Sequence, residues 1–207
     1  MVTFTDKFMK VFGNLIYDIY VDKFKQPKIK NWYVRPGKWE DLRFFCWRQI
    51  ISKNTVTSKT LYEKSFEFTG TFDKIAVDIL RFVKHRTIYT TDKASWNTPE
   101  YWQDASFTYQ KREGDCEDGA ILILTLARLA GIPSKRIFLR CGDVRSGGHA
   151  YVIYTASNGG KYIMDWCYRY NGRELQHRKE AEFNKNYLTR WFDVNDRYIL
   201  TGEKDDN

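Results

Sequence analysis

A chain of 207 residues, 43% hydrophobic and 17% aromatic, has the apolar material for one sizeable core, and this composition excludes intrinsic disorder. Two full domains would be cramped, so a single domain is expected over 1–207, with an N-terminal helical extension over 1–70 and the main core over 71–200. The formal net charge of +8 invites a nucleic-acid partner, but the lysines and arginines are scattered along the chain, and nucleic acid is set aside.

In chain order, Phe4, Phe8, Phe12, Leu15, Ile16 and Ile19 recur at helical spacing and predict a helix over Phe4–Tyr20 with one apolar, core-facing side. Asp6, Asp18 and Asp22 dilute its positive charge, which speaks against a membrane surface. The densest basic stretch, Lys23–Lys38, reads as a solvated loop, with Trp32 and Tyr33 as stacking groups if it instead held a polyanion. A second helix is predicted at Trp39–Trp47. A third carries Phe72, Ile75, Ala76, Ile79, Leu80 and Val83 on one face, with Thr71 as its N-cap. The apolar run Ile121–Leu129 predicts a buried helix ending at Gly131 and Pro133. Residues 135–142, 149–154, 161–167 and 189–194 then read as strands, rich in β-branched and aromatic side chains. Helices first and strands afterwards argue for an α+β fold whose antiparallel sheet packs on the helix at Ile121–Leu129.

Of the four cysteines, Cys46, Cys116, Cys141 and Cys167, none forms a CxxC pair or a zinc-ligand spacing. Cys141 and Cys167, each beside a strand, read as packed core thiols. Met1–Asp6 lacks the basic start of a signal peptide, and no apolar run approaches the roughly 18 residues needed to span a bilayer. A reducing, cytoplasmic setting without membrane attachment is therefore expected. His85 and His177 lie among charged residues and are assigned to the surface.

Cys116 differs from the other thiols. It opens the apolar helix, where unpaired N–H groups and the positive end of the helix dipole favour a thiolate and can receive a developing oxyanion. His149, in Gly148-His149-Ala150-Tyr151-Val152, and Asp165, in Met164-Asp165-Trp166, follow on two predicted strands. A nucleophile, a base and a group to orient that base are what acyl transfer from an amide requires. The hairpin between the strands tests the set. A two-residue turn at Asn158-Gly159 would set Asp165 opposite Val152, on the wrong face for His149. A five-residue loop over Thr155–Gly159 would put Asp165 directly across from His149.

These residues resemble the transglutaminase-like superfamily, a papain-like group of cysteine enzymes. Gly114-Asp115-Cys116-Glu117-Asp118-Gly119-Ala120, Gly148–Val152 and Met164-Asp165-Trp166 match its pattern, and Leu129–Pro133 matches the usual helix ending. The likeness covers about 70–170. Trp96–Glu100 looks like the segment before the cysteine in bacterial transglutaminase-like cysteine proteinases. The resemblance implies a papain-like α+β core with Cys116, His149 and Asp165 catalytic, and Trp96 or Asn97 as a second oxyanion donor. The implied activity is amide or peptide hydrolysis, or transfer to an amine, through a thioester on a protein or peptide substrate. No cofactor is assigned. Calcium is the alternative, because related proteinases use acidic residues here as ligands, which would engage Asp115, Glu117 and Asp118. A structural or binding component of a larger assembly, keeping the fold without turnover, is the competing reading.

Overall fold

The computed structural model describes residues 28–30, 58–168 and 186–201. The helices expected at Phe4–Tyr20 and Trp39–Trp47, Cys46, His177 and most of the basic segment lie outside the described residues. Only Lys28–Lys30 of that segment is described, and it is a strand.

The elements run β1 (Lys28–Lys30), α1 (Ser58–Ser65), α2 (Phe72–Arg86), β2 (Ile88–Tyr89), α3 (Asp92–Trp96), α4 (Ala105–Lys111), β3 (Glu113–Gly114) and α5 (Cys116–Leu129), followed by a 3-10 turn (Ser134–Arg136), β4 (Ile137–Val144), β5 (Gly147–Thr155), β6 (Lys161–Met164), β7 (Phe192–Val194) and β8 (Tyr198–Thr201). Six strands form one sheet in the order β1-β8-β7-β4-β5-β6. All neighbours pair antiparallel except β1 with β8, which is parallel. The expected α+β layering is therefore present, with one parallel edge that strand spacing alone did not predict. β2 and β3 form a second, two-stranded parallel pair.

The centre of the molecule is α5. From Ala120 to Leu124 its side chains have no exposed surface, nor do Leu126 and Ala127. The helix packs on β4 and β5 from one side and on α1, α2 and α4 from the other. Ile121, Ile123 and Thr125 are indifferent helix formers, so burial rather than propensity holds this segment helical, at about 1.5–3 kcal/mol per large apolar side chain. It ends where the sequence said it would. Ile132 N–H bonds to Ala127 O at 3.0 Å and Gly131 N–H to Arg128 O at 3.1 Å, with Gly131 at φ +91° and Ile132 buried. This is a Schellman closure, which favours glycine at that position.

The other expected helix among the described residues is α2, which buries Ile75, Ala76, Ile79, Leu80 and Val83 of the predicted face, and Thr71 caps it as expected by accepting from Lys74 N–H at 3.3 Å. Asp73 in its first turn ties the helix to the sheet, accepting from Tyr154 O–H at 2.6 Å and from the Arg136 guanidinium at 3.1 Å. Strands β4 to β7 fall at or near their predicted places. Among the described residues no helix is long and apolar enough to cross a membrane.

Candidate active site

Cys116 is the first residue of α5, and Asp115 is the N-cap. Asp118 reaches back to accept from Asp115 N–H at 3.2 Å, the return half of a capping box. Trp166, just beyond β6, holds this helix start against the sheet by donating its indole N–H to Cys116 O at 3.1 Å. The helix itself packs along β5, the strand that carries His149. Gly119 permits this approach, because a Cβ there would lie 2.2 Å from the Trp166 ring. Gly119→Ala should cost about 1–3 kcal/mol of stability by urea denaturation, because overpacking against a buried ring outweighs the gain in helix propensity of about 1 kcal/mol. A variant as stable as the parent would show that the ring is not clamped there.

His149 on β5 is 9% exposed, and Asp165 just past β6 is fully buried. His149 Nε2 lies 2.7 Å from Asp165 Oδ2. A carboxylate can only accept, so the ring carries its proton on Nε2 and leaves Nδ1 as the basic nitrogen. The hairpin has the five-residue loop that this pairing needs, but shifted by one position to Ala156–Gly160, with Thr155 opposite Lys161 and Val152 opposite Met164. Continuing that register sets Asp165 beside Tyr151, diagonal to His149 on the same face, rather than directly across from it. Asn158 explains the shift: its side chain accepts from Gly160 N–H at 2.9 Å, Gly159 turns at φ +80°, and Ala156 N–H closes on Gly160 O at 2.9 Å.

Aromatic rings surround the couple. Tyr151 stacks on His149 with centroids 5.9 Å apart, and Tyr168 tilts against it at 5.4 Å. Tyr89, half exposed, tilts over Trp166 at 5.8 Å. Trp96, by contrast, is packed with Tyr101 and Phe107 and lies beneath the Lys111 ammonium. Asn97 is the left-handed cap of α3 and accepts from Lys93 Nζ at 2.9 Å. None of these contacts uses the Trp96 indole N–H or the Asn97 side-chain amide N–H, the groups that an oxyanion donor would employ. Cys141 is buried as expected, Cys167 is only partly buried, and His85 is exposed.

The electrostatics around Cys116 differ from the expectation drawn from the helix dipole alone. Its thiol donates to Glu117 Oε2 at 3.1 Å. Burial pushes the thiol well above its ordinary range, and the charges of Glu117 and Asp115 push it further. Both effects oppose a thiolate, and in the protein by itself they outweigh the dipole. The same crowding raises the carboxyls. Burial lifts Asp118 to about 7 and Asp115 to about 6, and holds Glu117 well above the usual carboxylate range.

Two further carboxylates that sequence order did not flag join this set. Asp92 opens α3, and Glu100 accepts from the Trp102 indole at 2.6 Å. Oxygens of Asp92, Glu100 and Glu117 lie within 4.8 Å of one another, as do those of Asp92, Asp115 and Asp118. Asp92 and Glu117 are each 3% exposed, yet Asp92 Oδ1 and Glu117 Oε1 have no hydrogen-bond partner, nor does Asp115 Oδ1. Buried carboxylate oxygens without donors are costly, and a hard divalent cation is the group that would satisfy them. Thr91-Asp92 reads in sequence as an ordinary helix start, so no local signal could have recruited Asp92.

Residues 66–168, spanning this helix, the hairpin and Asp165, match the sequence model of the Transglutaminase-like superfamily. The chain belongs to the transglutaminase-like superfamily. No curated protein sequence matches it significantly. Among solved structures it is similar to Legionella pneumophila LapG in an EGTA-treated form, at 16% identity and TM-score 0.54, over 76% of this chain and 84% of that one. The calcium-bound form of the same protein aligns at 16% identity and TM-score 0.53, over 79% of this chain and 92% of that one. At such identity the likeness carries the fold. Within that transglutaminase-like fold, α5 presents Cys116 to the strand that carries His149.

Proposed function

We propose that the chain is a cysteine-nucleophile amide or peptide hydrolase, or an acyl transferase to amines, acting on protein or peptide substrates through a thioester at Cys116. The observation that carries this reading is the buried His149–Asp165 couple at 2.7 Å, with His149 on β5, the strand against which the helix that begins at Cys116 packs.

His149 Nδ1 takes the thiol proton, and the sulfur attacks the amide carbon. A C–S bond forms as the carbonyl electron pair moves onto oxygen, where the Cys116 N–H at the helix start receives it. Collapse breaks the C–N bond, and His149 returns its proton to the departing amine. Water or a second amine then attacks the thioester, loses a proton to His149 and expels the sulfur, which is reprotonated. Asp165 keeps the imidazole oriented and stabilises its cationic form throughout.

Asp92, Glu100, Asp115, Glu117 and Asp118 are the residues that would hold calcium. LapG, described in calcium-bound and EGTA-treated forms, supports that choice of ion. Bound there, calcium would neutralise the carboxylates that oppose ionisation of Cys116.

The test is a pre-steady-state burst. Calcium-loaded protein mixed with p-nitrophenyl acetate should release p-nitrophenolate in a burst stoichiometric with protein, and Cys116→Ala should abolish it. Release at the same rate from Cys116→Ala would overturn the reading.

A further inference from the structure

We propose that Tyr187 is a positioning residue for this reaction, its hydroxyl fixing the Asp165 carboxylate that orients His149. The inference rests on the Cys116, His149 and Asp165 reading above. Tyr187 stands 22 residues beyond Asp165 and outside every motif in the chain. It is 5% exposed, and its O–H donates to Asp165 Oδ2 at 2.8 Å, the same oxygen that faces His149 Nε2 at 2.7 Å. The other oxygen, Oδ1, accepts from Cys167 N–H at 3.0 Å. Asp165 has no exposed surface, so water does not compensate for a missing donor. With two donors on one oxygen and a third on the other, a rotation of the carboxylate that loses His149 also loses Tyr187.

The ring of Tyr187 is held independently of its hydroxyl. It packs edge-on against Tyr151 at 4.7 Å, and Tyr151 in turn stacks on His149. Its backbone is pinned to the end of β4 by the Val144 bridge, by Arg145 N–H to Asn186 O at 3.0 Å and by Leu188 N–H to Asp143 O at 2.8 Å. Gly142, paired with His149 in the ladder, leaves room for this returning segment, since a Cβ there would lie 2.0 Å from Thr189 O. A phenylalanine would fill the same space against Tyr151. What packing does not account for is a hydroxyl aimed at the oxygen that His149 uses.

The experiment is a double-mutant cycle on the calcium-loaded protein, read by the burst rate with p-nitrophenyl acetate and by the ring N–H proton resonance of His149. Tyr187→Phe should keep the circular dichroism of the parent and slow the burst about tenfold, the low end for loss of a supporting hydrogen bond. Its His149 resonance should move downfield, because the relieved carboxylate accepts more strongly. A ring-fluorinated tyrosine at the position, a stronger donor of nearly the same shape, should move the resonance upfield. In an Asp165→Asn background Tyr187→Phe should slow the burst no further, since its target is already gone. Independent, multiplying losses, or an unmoved resonance, would overturn the inference. If Asp165→Asn reacts like the parent, the triad reading fails and the inference with it. If Asp165→Asn is slow while Tyr187→Phe matches the parent, the inference alone fails.

Discussion

His149→Ala should slow acylation of Cys116 by p-nitrophenyl acetate about 100- to 10,000-fold, the range spanned by removal of a positioned general base. The reasoning is electrostatic. Burial and two neighbouring carboxylates already hold the thiol above its ordinary range, so Cys116 depends on a base more than an exposed cysteine would. His149 sits on the strand against which the Cys116 helix packs, and Asp165 leaves its Nδ1 free to act. The substitution removes a ring that is partly stacked on Tyr151 and Tyr168 rather than one at the centre of the core, so the fold should survive. Circular dichroism and stopped-flow release of p-nitrophenolate check both halves. A folded His149→Ala protein that acylates at the parental rate would remove His149 from the mechanism.

The second large effect is expected from divalent cation. Five carboxylates converge beside Cys116, and three of their oxygens are buried without a donor. A cation that binds only the folded form at 100 times its Kd adds about 2.7 kcal/mol, which for a chain of this size raises Tm by roughly 5–10 °C. Calcium should therefore raise Tm by that amount and EGTA should reverse it. Glu117→Gln should abolish the shift, because it removes a ligand charge at a carboxylate that is 3% exposed and has an oxygen without a donor. The burst with p-nitrophenyl acetate should follow the same titration and fall at least tenfold on chelation, since each unit by which the thiol is held up costs a factor of ten in thiolate. Equal Tm with calcium and with EGTA would contradict the assignment.

Much of this site was legible because its signals are local. Cys116 stands at the head of an apolar run that caps, buries and terminates as its residues predict, and strand alternation placed His149 and Asp165 on one face once the hairpin loop was counted at five. The loop's offset was not legible, because it depends on Asn158 bonding Gly160 rather than on strand composition. Nonlocal partners were also hidden. Asp92 and Glu100 reach Glu117 only after the chain between them folds, and Tyr187 reaches Asp165 only because the chain returns across β4. Likewise the pairing of Lys28–Lys30 with Tyr198–Leu200 joins opposite ends of the chain, which no short window contains. The charge balance at Cys116 misled for a related reason: the helix dipole is readable from position, whereas the burial that reverses its effect comes from tertiary packing.

The central claim is that Cys116 is an activated nucleophile, and the most direct measurement is the rate at which each cysteine takes up iodoacetamide at mildly acidic pH, read by peptide mapping with calcium and with EGTA. With calcium, Cys116 should react well ahead of Cys141, which is buried in the apolar core, and of Cys167, whose sulfur lies within 4.8 Å of His149 and Asp165 but whose thiol is held up by burial and by the Asp165 charge. EGTA should slow Cys116 alone, and His149→Ala should remove its lead. Equal, slow labelling of all the cysteines in folded, calcium-loaded protein would contradict the account and favour a chain that keeps this fold without turnover.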